Sequence, residues 1–159
     1  MSSNIFLVRS NSEDFDRTVL SNVELRDHPD HPEAFSEMRT VRFYGAPESR
    51  ADAFEKMNAG DLVLFHQNGE YVGTGWIGTT FEDHQQWAST TLWSDTSSTL
   101  IYTVQGFTPV FVPKTAVNRI FAYADGYTPP NLMRVAANRV DNRPEAIKRA
   151  LEQYTEKHS

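Results

Sequence analysis

The chain has 159 residues, a net charge of −6 from 15 Lys+Arg against 21 Asp+Glu, and 12% aromatic residues. That is enough large apolar side chain to close one core and too little length for two full domains. Without cysteine, disulfide scaffolds, thiolate zinc sites, iron–sulfur clusters and cysteine nucleophiles are excluded together. The acidity argues against holding nucleic acid mainly by phosphate neutralisation, and no apolar run has bilayer length, which predicts a soluble, cytoplasmic protein.

In chain order, Asn4 to Arg9 (NIFLVR) reads as a buried strand, and Asn11 or Ser12 caps a short helix carrying Phe15 and Val19. Asp27 to Glu33 (DHPDHPE) is an exposed loop. Thr40 to Tyr44 is a second strand, followed by a helix from Ser49 to Met57 with Ala51, Phe54 and Met57 on one face. Leu62 to His66 and Tyr71 to Gly78 flank Asn68-Gly69, a strong hairpin signal, and Gly73, Gly75 and Gly78 mark the returning strand as bent or closely approached. Leu100 to Val104 and Pro109 to Val112 supply two more strands, the second at an edge or starting at its proline. A helix carrying Ala116, Val117, Ile120 and Phe121 stops near Gly126, Leu132 to Val140 suits a strand, and residues 142–157 form a helix with Pro144 near its start. These elements predict a single α+β domain over residues 1–159, a small, partly closed β-barrel with flanking helices.

The chemistry-bearing motifs are few. His28 and His31 lack a second ligand pair at zinc-finger spacing, so no metal site is expected. Gly73 to Gly78 spells a dinucleotide-binding fingerprint but lies within a strand with no helix after it, and no cofactor is implied. No nucleophile motif is present, so no catalytic residue is assigned; His66, His84 and Asp95 are the acid–base candidates of an alternative reading as a small enzyme on a nucleotide-like substrate. The tryptophans are more telling. All three lie within residues 76–93, and Trp87 and Trp93 stand in a polar stretch with little apolar company. Such a pair either walls a slot for a flat ring or folds back as a lid over the barrel mouth, whereas Trp76, in mid-strand, reads as core. Arg9-Ser10-Asn11, directly after the first strand, can converge on a ligand edge or simply cap the next helix.

The order of Val41-Arg42-Phe43-Tyr44, Met57 to His66, Tyr71 to Gly75 and Leu132 to Val135 resembles the PUA-like superfamily, in particular its EVE branch. Phe6 to Asn11, the position of Trp87 and the C-terminal helix resemble its YTH branch. The resemblance implies an open barrel that holds a modified base in an aromatic pocket, with Asn11 at the base edge and Ser10 in the pocket backbone. One YTH cage tryptophan has no counterpart, since that region reads Asn22-Val23-Glu24-Leu25; Tyr44, Phe43 or Trp93 would supply the missing face.

By the same resemblance, the expected function is the non-catalytic specificity module of a modification-dependent restriction system, binding DNA through a flipped, methylated base while a separate nuclease or motor cuts. The pocket candidates are Trp87, Trp93, Tyr44, Phe43, Ser10, Asn11 and Asp95, and the phosphate candidates are Arg9, Arg42, Arg50, Arg134 and Arg139. An RNA-binding protein on the same fold is the other alternative.

Overall fold

The computed structural model describes residues 4–93, 97–140 and 143–158. Six strands form one curled sheet in the order β4-β7-β6-β5-β1-β8. They are β1 (Ile5–Arg9), β4 (Phe43–Pro47), β5 (Leu62–Gln67), β6 (Glu70–Glu82), β7 (Ser98–Pro113) and β8 (Met133–Arg134), while β2 (Val23–Glu24) and β3 (Thr40–Val41) pair separately. The short helices are α1 (Ser12–Phe15), continued by a π-turn over Asp16–Leu20, then α2 (Ala51–Glu55), α3 (Trp87–Thr91) and α4 (Lys114–Ile120); α5 (Pro144–Lys157) is the one long helix. This is the α+β, partly closed barrel with flanking helices that the patterning predicts.

The central pair explains how the sheet sits in the core. Strands β1 and β5 run parallel, with Arg9 opposite His66 at their carboxyl ends. Four consecutive residues of β1, Ile5 to Val8, are fully buried, as expected for a strand covered on both faces. Phe6, Val8, Val63 and Phe65 face a core shared with α1, β4 and α3. Ile5, Leu7, Leu62 and Leu64 face a second core closed by α4 and α5. Alternation along a strand thus splits one apolar run between two cores.

The hairpin at Asn68-Gly69 forms as its residues dictate: both take positive φ, 50° and 84°, the geometry of a two-residue primed turn. Beyond it, β6 shifts register three times against β7, and side chains of Val104 and Phe107 lie where Gly75 and Gly73 would carry a Cβ. Several expectations need correcting. The two strands at Leu100 to Val104 and Pro109 to Val112 are one strand, β7, because Gly106 at φ 58° lets the chain bend without leaving the sheet. Pro109 is tolerated because this half of β7 pairs with β6 while β4 pairs only with Ser98 to Thr103. The second strand breaks at Arg42 and runs on to Pro47, and the helix after it begins as a 3₁₀ turn over Glu48–Arg50. Helix α4 ends at Ile120, where Ala122 takes a left-handed φ of 59°, well before Gly126. The strand predicted from Leu132 to Val140 shrinks to Met133–Arg134. Trp76 is half-buried, lying across Gly106 at the sheet surface. Among the described residues, no helix is long and apolar enough to cross a membrane.

Candidate functional site

Loops at the carboxyl ends of the parallel pair β1 and β5 leave a crevice where side chains from several elements meet. Here that crevice is a cavity of about 560 Å³, lined by Arg9, Ser10, Asn11, Tyr44, His66 and Asn131 among others. Its size is within the range of small-molecule pockets. The strand ends are tied together by hydrogen bonds: Ser10 donates from its backbone N–H to the carbonyl of His66 at 2.9 Å, and its hydroxyl donates to the same carbonyl at 3.2 Å. Gln67 Nε2 donates to Ser10 Oγ at 3.2 Å, and Arg9 N–H donates to the carbonyl of Pro130 at 3.1 Å. The last of these bonds fastens the loop after α4 across the strand ends. That loop is shaped from within by Asn118, fully buried, whose side-chain amide donates to the carbonyls of Asp125 at 3.0 Å and Tyr127 at 2.9 Å. The exposed Arg119–Asp125 pair closes it from outside, the guanidinium holding the Asp125 carboxyl below its ordinary pKa.

Asn11 plays the capping role. Its Oδ1 accepts from Asp14 N–H at 2.8 Å and its Nδ2 donates to Asp14 Oδ2 at 3.1 Å, while its backbone N–H donates to Tyr44 Oη at 3.2 Å. Ser10, Asn11 and Tyr44, three of the predicted pocket residues, therefore do meet at one cavity, with Arg9 beside them. His66 joins them, and it is the unusual member. It is 3% exposed, packs edge-on against Tyr71 at 5.3 Å between ring centroids, and neither ring nitrogen has a hydrogen-bond partner among the described residues. Burial, then the nearby Lys114 and Arg9, lower its pKa, so the ring is neutral at pH 7. The Oδ1 of Asn131 is likewise buried without a partner among the described residues.

The tryptophans lie elsewhere. Trp93, 6% exposed, packs against Phe43 at 5.4 Å and Tyr44 at 5.7 Å, and its indole N–H donates to Thr18 Oγ1 at 3.1 Å. A Cβ on Gly45 would lie 2.9 Å from the indole, so glycine there is what lets the ring sit flat on β4. Trp87, also 6% exposed, touches the other side of the same aromatic row, with Phe43 at 6.0 Å and Phe35 at 6.1 Å. Its position is fixed by the carboxylate of Asp83, which accepts the first backbone N–H groups of α3 from Trp87 and Ala88. Phe43 thus lies between the two tryptophans, fully buried, and both indoles are part of the core. Trp87 opens onto a separate hollow of about 320 Å³ with Asp30, Glu33, Glu82, Asp83 and His84 in its lining. The expected hydrogen-bonding residue Asp95 lies outside the described residues.

The arginines are dispersed. Arg9 reaches the cavity. Arg42 lies over the Phe107 ring at 5.3 Å, in a shallow hollow with Asn22 and Gln105. Arg139 donates to the carbonyls of Phe121 and Ala122 and covers the Tyr123 ring at 4.5 Å. Arg50 sits in the exposed turn before α2, and Arg134 is half-buried in β8. Among the described residues, no group of three or more His, Asp or Glu is arranged to hold a metal.

No protein-family model matches the chain, and no curated protein matches it in sequence. Solved structures do match its fold. The N-terminal domain of McrB from Thermococcus gammatolerans, determined bound to m5C DNA, superposes with a TM-score of 0.70 at 16% identity, over 96% of this chain and 99% of that one. The Pho92 YTH domain, in complex with m6A, gives 0.57 at 11% identity over 94% and 86%. The YTH domain of the Zygosaccharomyces rouxii MRB1 protein, in complex with N6-methyladenosine RNA, gives 0.55 at 11% identity over 94% and 87%. These three are binding domains, and together with the curled sheet and its flanking helices they show that the chain has the fold that matches them, a PUA-like α+β half-barrel.

Proposed function

We propose that the chain is a non-catalytic reader that takes one extruded, methylated base of DNA into the cavity at the carboxyl ends of β1 and β5. The observation that carries this reading is the cavity itself: an aromatic residue, Tyr44, a cation, Arg9, and buried polar side chains converge there, and no carboxylate is in its lining among the described residues. The hollow beside Trp87 has the opposite character, with four carboxylate residues in its lining that would repel a phosphate chain. Contact with Tyr44, which lines the cavity though it is 5% exposed, and hydrogen bonds from the polar lining supply affinity that a chain of net charge −6 does not draw from bulk attraction. Trp93 packs against Tyr44, and Phe43 lies between Trp93 and Trp87, so the predicted aromatic set is one packed cluster that reaches the cavity at Tyr44. The likeness to a methylated-DNA-binding domain and to m6A-binding domains supports the same assignment. Cleavage, in a restriction system of this design, belongs to a nuclease or motor partner.

Fluorescence polarisation of one duplex carrying no modification, N6-methyladenine, 5-methylcytosine or 5-hydroxymethylcytosine, with an RNA hairpin carrying N6-methyladenine as a further arm, tests this reading at fixed salt. One modified duplex binds tightest, and Tyr44→Leu removes the preference. Tighter binding to the RNA arm would move the assignment to RNA, the alternative that the RNA-bound YTH domain favours.

A further inference from the structure

Of the polar side chains around the cavity, several are already committed. Asn11 is bonded through both amide atoms to Asp14, and Ser10 is bonded to His66 and Gln67. His66 and Asn131 are different: two ring nitrogens and one amide oxygen are buried with no hydrogen-bond partner among the described residues. Buried polar atoms in native proteins are almost always paired, and unpaired ones in a pocket mark where a ligand completes the bonding. Both residues line the cavity that Tyr44 also lines.

We infer that His66 and Asn131 read the hydrogen-bonding edge of the base, and that they select an amino-bearing base, cytosine or adenine in modified form. This rests on the reader assignment above. A neutral imidazole carries one N–H, which can donate to a ring nitrogen, while Asn131 Oδ1 accepts from an exocyclic amino group. Cytosine presents that pair at N3 and N4, and adenine at N1 and N6. Thymine and hypoxanthine present a carbonyl oxygen in place of the amino group and a ring N–H in place of the acceptor, so the carbonyl would face Asn131 Oδ1 with no hydrogen between them. N6-methyladenine keeps one amino hydrogen and 5-methylcytosine keeps two, so both fit; N6,N6-dimethyladenine keeps none.

The test uses fluorescence polarisation with the whole chain and duplexes that differ in one base. Thymine opposite guanine is compared with 5-methylcytosine opposite guanine, and N6,N6-dimethyladenine with N6-methyladenine. Wild type binds the amino-bearing member of the favoured pair about tenfold more tightly, as expected when a mismatched ligand leaves buried groups unpaired. Asn131→Leu brings that ratio near one. His66→Phe weakens binding of the amino-bearing duplex, and His66→Gln, which keeps a donor and an acceptor, restores part of it. Asn131 is only partly buried, so its variant carries the test if His66→Phe does not fold. A ratio unchanged in Asn131→Leu, or equal binding of amino and keto bases by wild type while the preference for modified duplex persists, overturns the inference alone. Equal binding of all modified and unmodified duplexes overturns the reader assignment together with it.

Discussion

Two regions of this molecule are rich in the groups that bind bases, and they differ in how completely those groups are satisfied. Around Phe43, the rings of Trp87, Trp93 and Phe35 interlock at 5–6 Å, and both indole N–H groups have acceptors, Asp30 and Thr18. At the strand ends, His66 and Asn131 keep buried polar atoms with no partner among the described residues, and both line a cavity large enough for a ring. The first region's indole donors are paired, and the second keeps polar atoms without a partner among the described residues. Of these two regions, the aromatic-rich one is the brace, and the one where unpaired polar atoms line a cavity is the proposed site.

The comparison is sharpened first by removing a brace. Trp93→Ala empties a well-packed core position and should lower unfolding free energy by about 3–5 kcal/mol, measured by urea denaturation; a loss below about 1 kcal/mol would show that the indole is no part of the core. Next comes the loop that walls the cavity. Asn118→Ala strips the acceptors at Asp125 and Tyr127 of their buried donor and should cost roughly 1–3 kcal/mol. Because that loop carries Thr128 and Asn131, the variant should also bind the favoured duplex more weakly under conditions where it remains folded. Retained affinity would separate the loop from the site.

A smaller effect follows from His66. Its folded pKa lies below the ordinary 6.5 because burial and the cations Lys114 and Arg9 disfavour the imidazolium. The unfolded chain therefore takes up a proton that the folded chain resists, and stability falls as pH drops below about 6.5, levelling off beneath the folded pKa. Thermal melts of wild type and His66→Gln between pH 5 and 7.5 should converge toward acid, the variant lacking this component of the slope. Parallel curves would place His66 in a solvated setting.

Much of the frame is legible in the chain. The apolar run of β1, the Asn68-Gly69 turn and the stripe of α5 are local signals, and each forms close to where the pattern places it. The continuity of β7 was not legible, because Gly106 and Pro109 read as breaks when their pairing partners are unknown. The tryptophans misled for a related reason. Trp87 and Trp93 stand in polar sequence, but their burial comes from Phe43, Gly45 and Thr18, residues distant in sequence. The candidate site was half-legible: the structure brings Arg9-Ser10-Asn11 and Tyr44 to one cavity, whereas His66 was singled out only as an acid–base candidate of the enzyme alternative and Asn118 and Asn131 carried no signal in the sequence. What they do depends on a loop folding over a strand end, and no spacing in the sequence encodes that.

The central claim is that ligand meets the molecule at the strand-end cavity and not at the tryptophan cluster. Titrating the favoured modified duplex and its unmodified twin with wild type, Tyr44→Leu and Trp87→Phe, each first shown to be folded by its melting curve, tests this most directly. The account predicts that Tyr44→Leu binds both duplexes alike, while Trp87→Phe keeps the wild-type preference. Loss of preference in Trp87→Phe with full retention in Tyr44→Leu would contradict it.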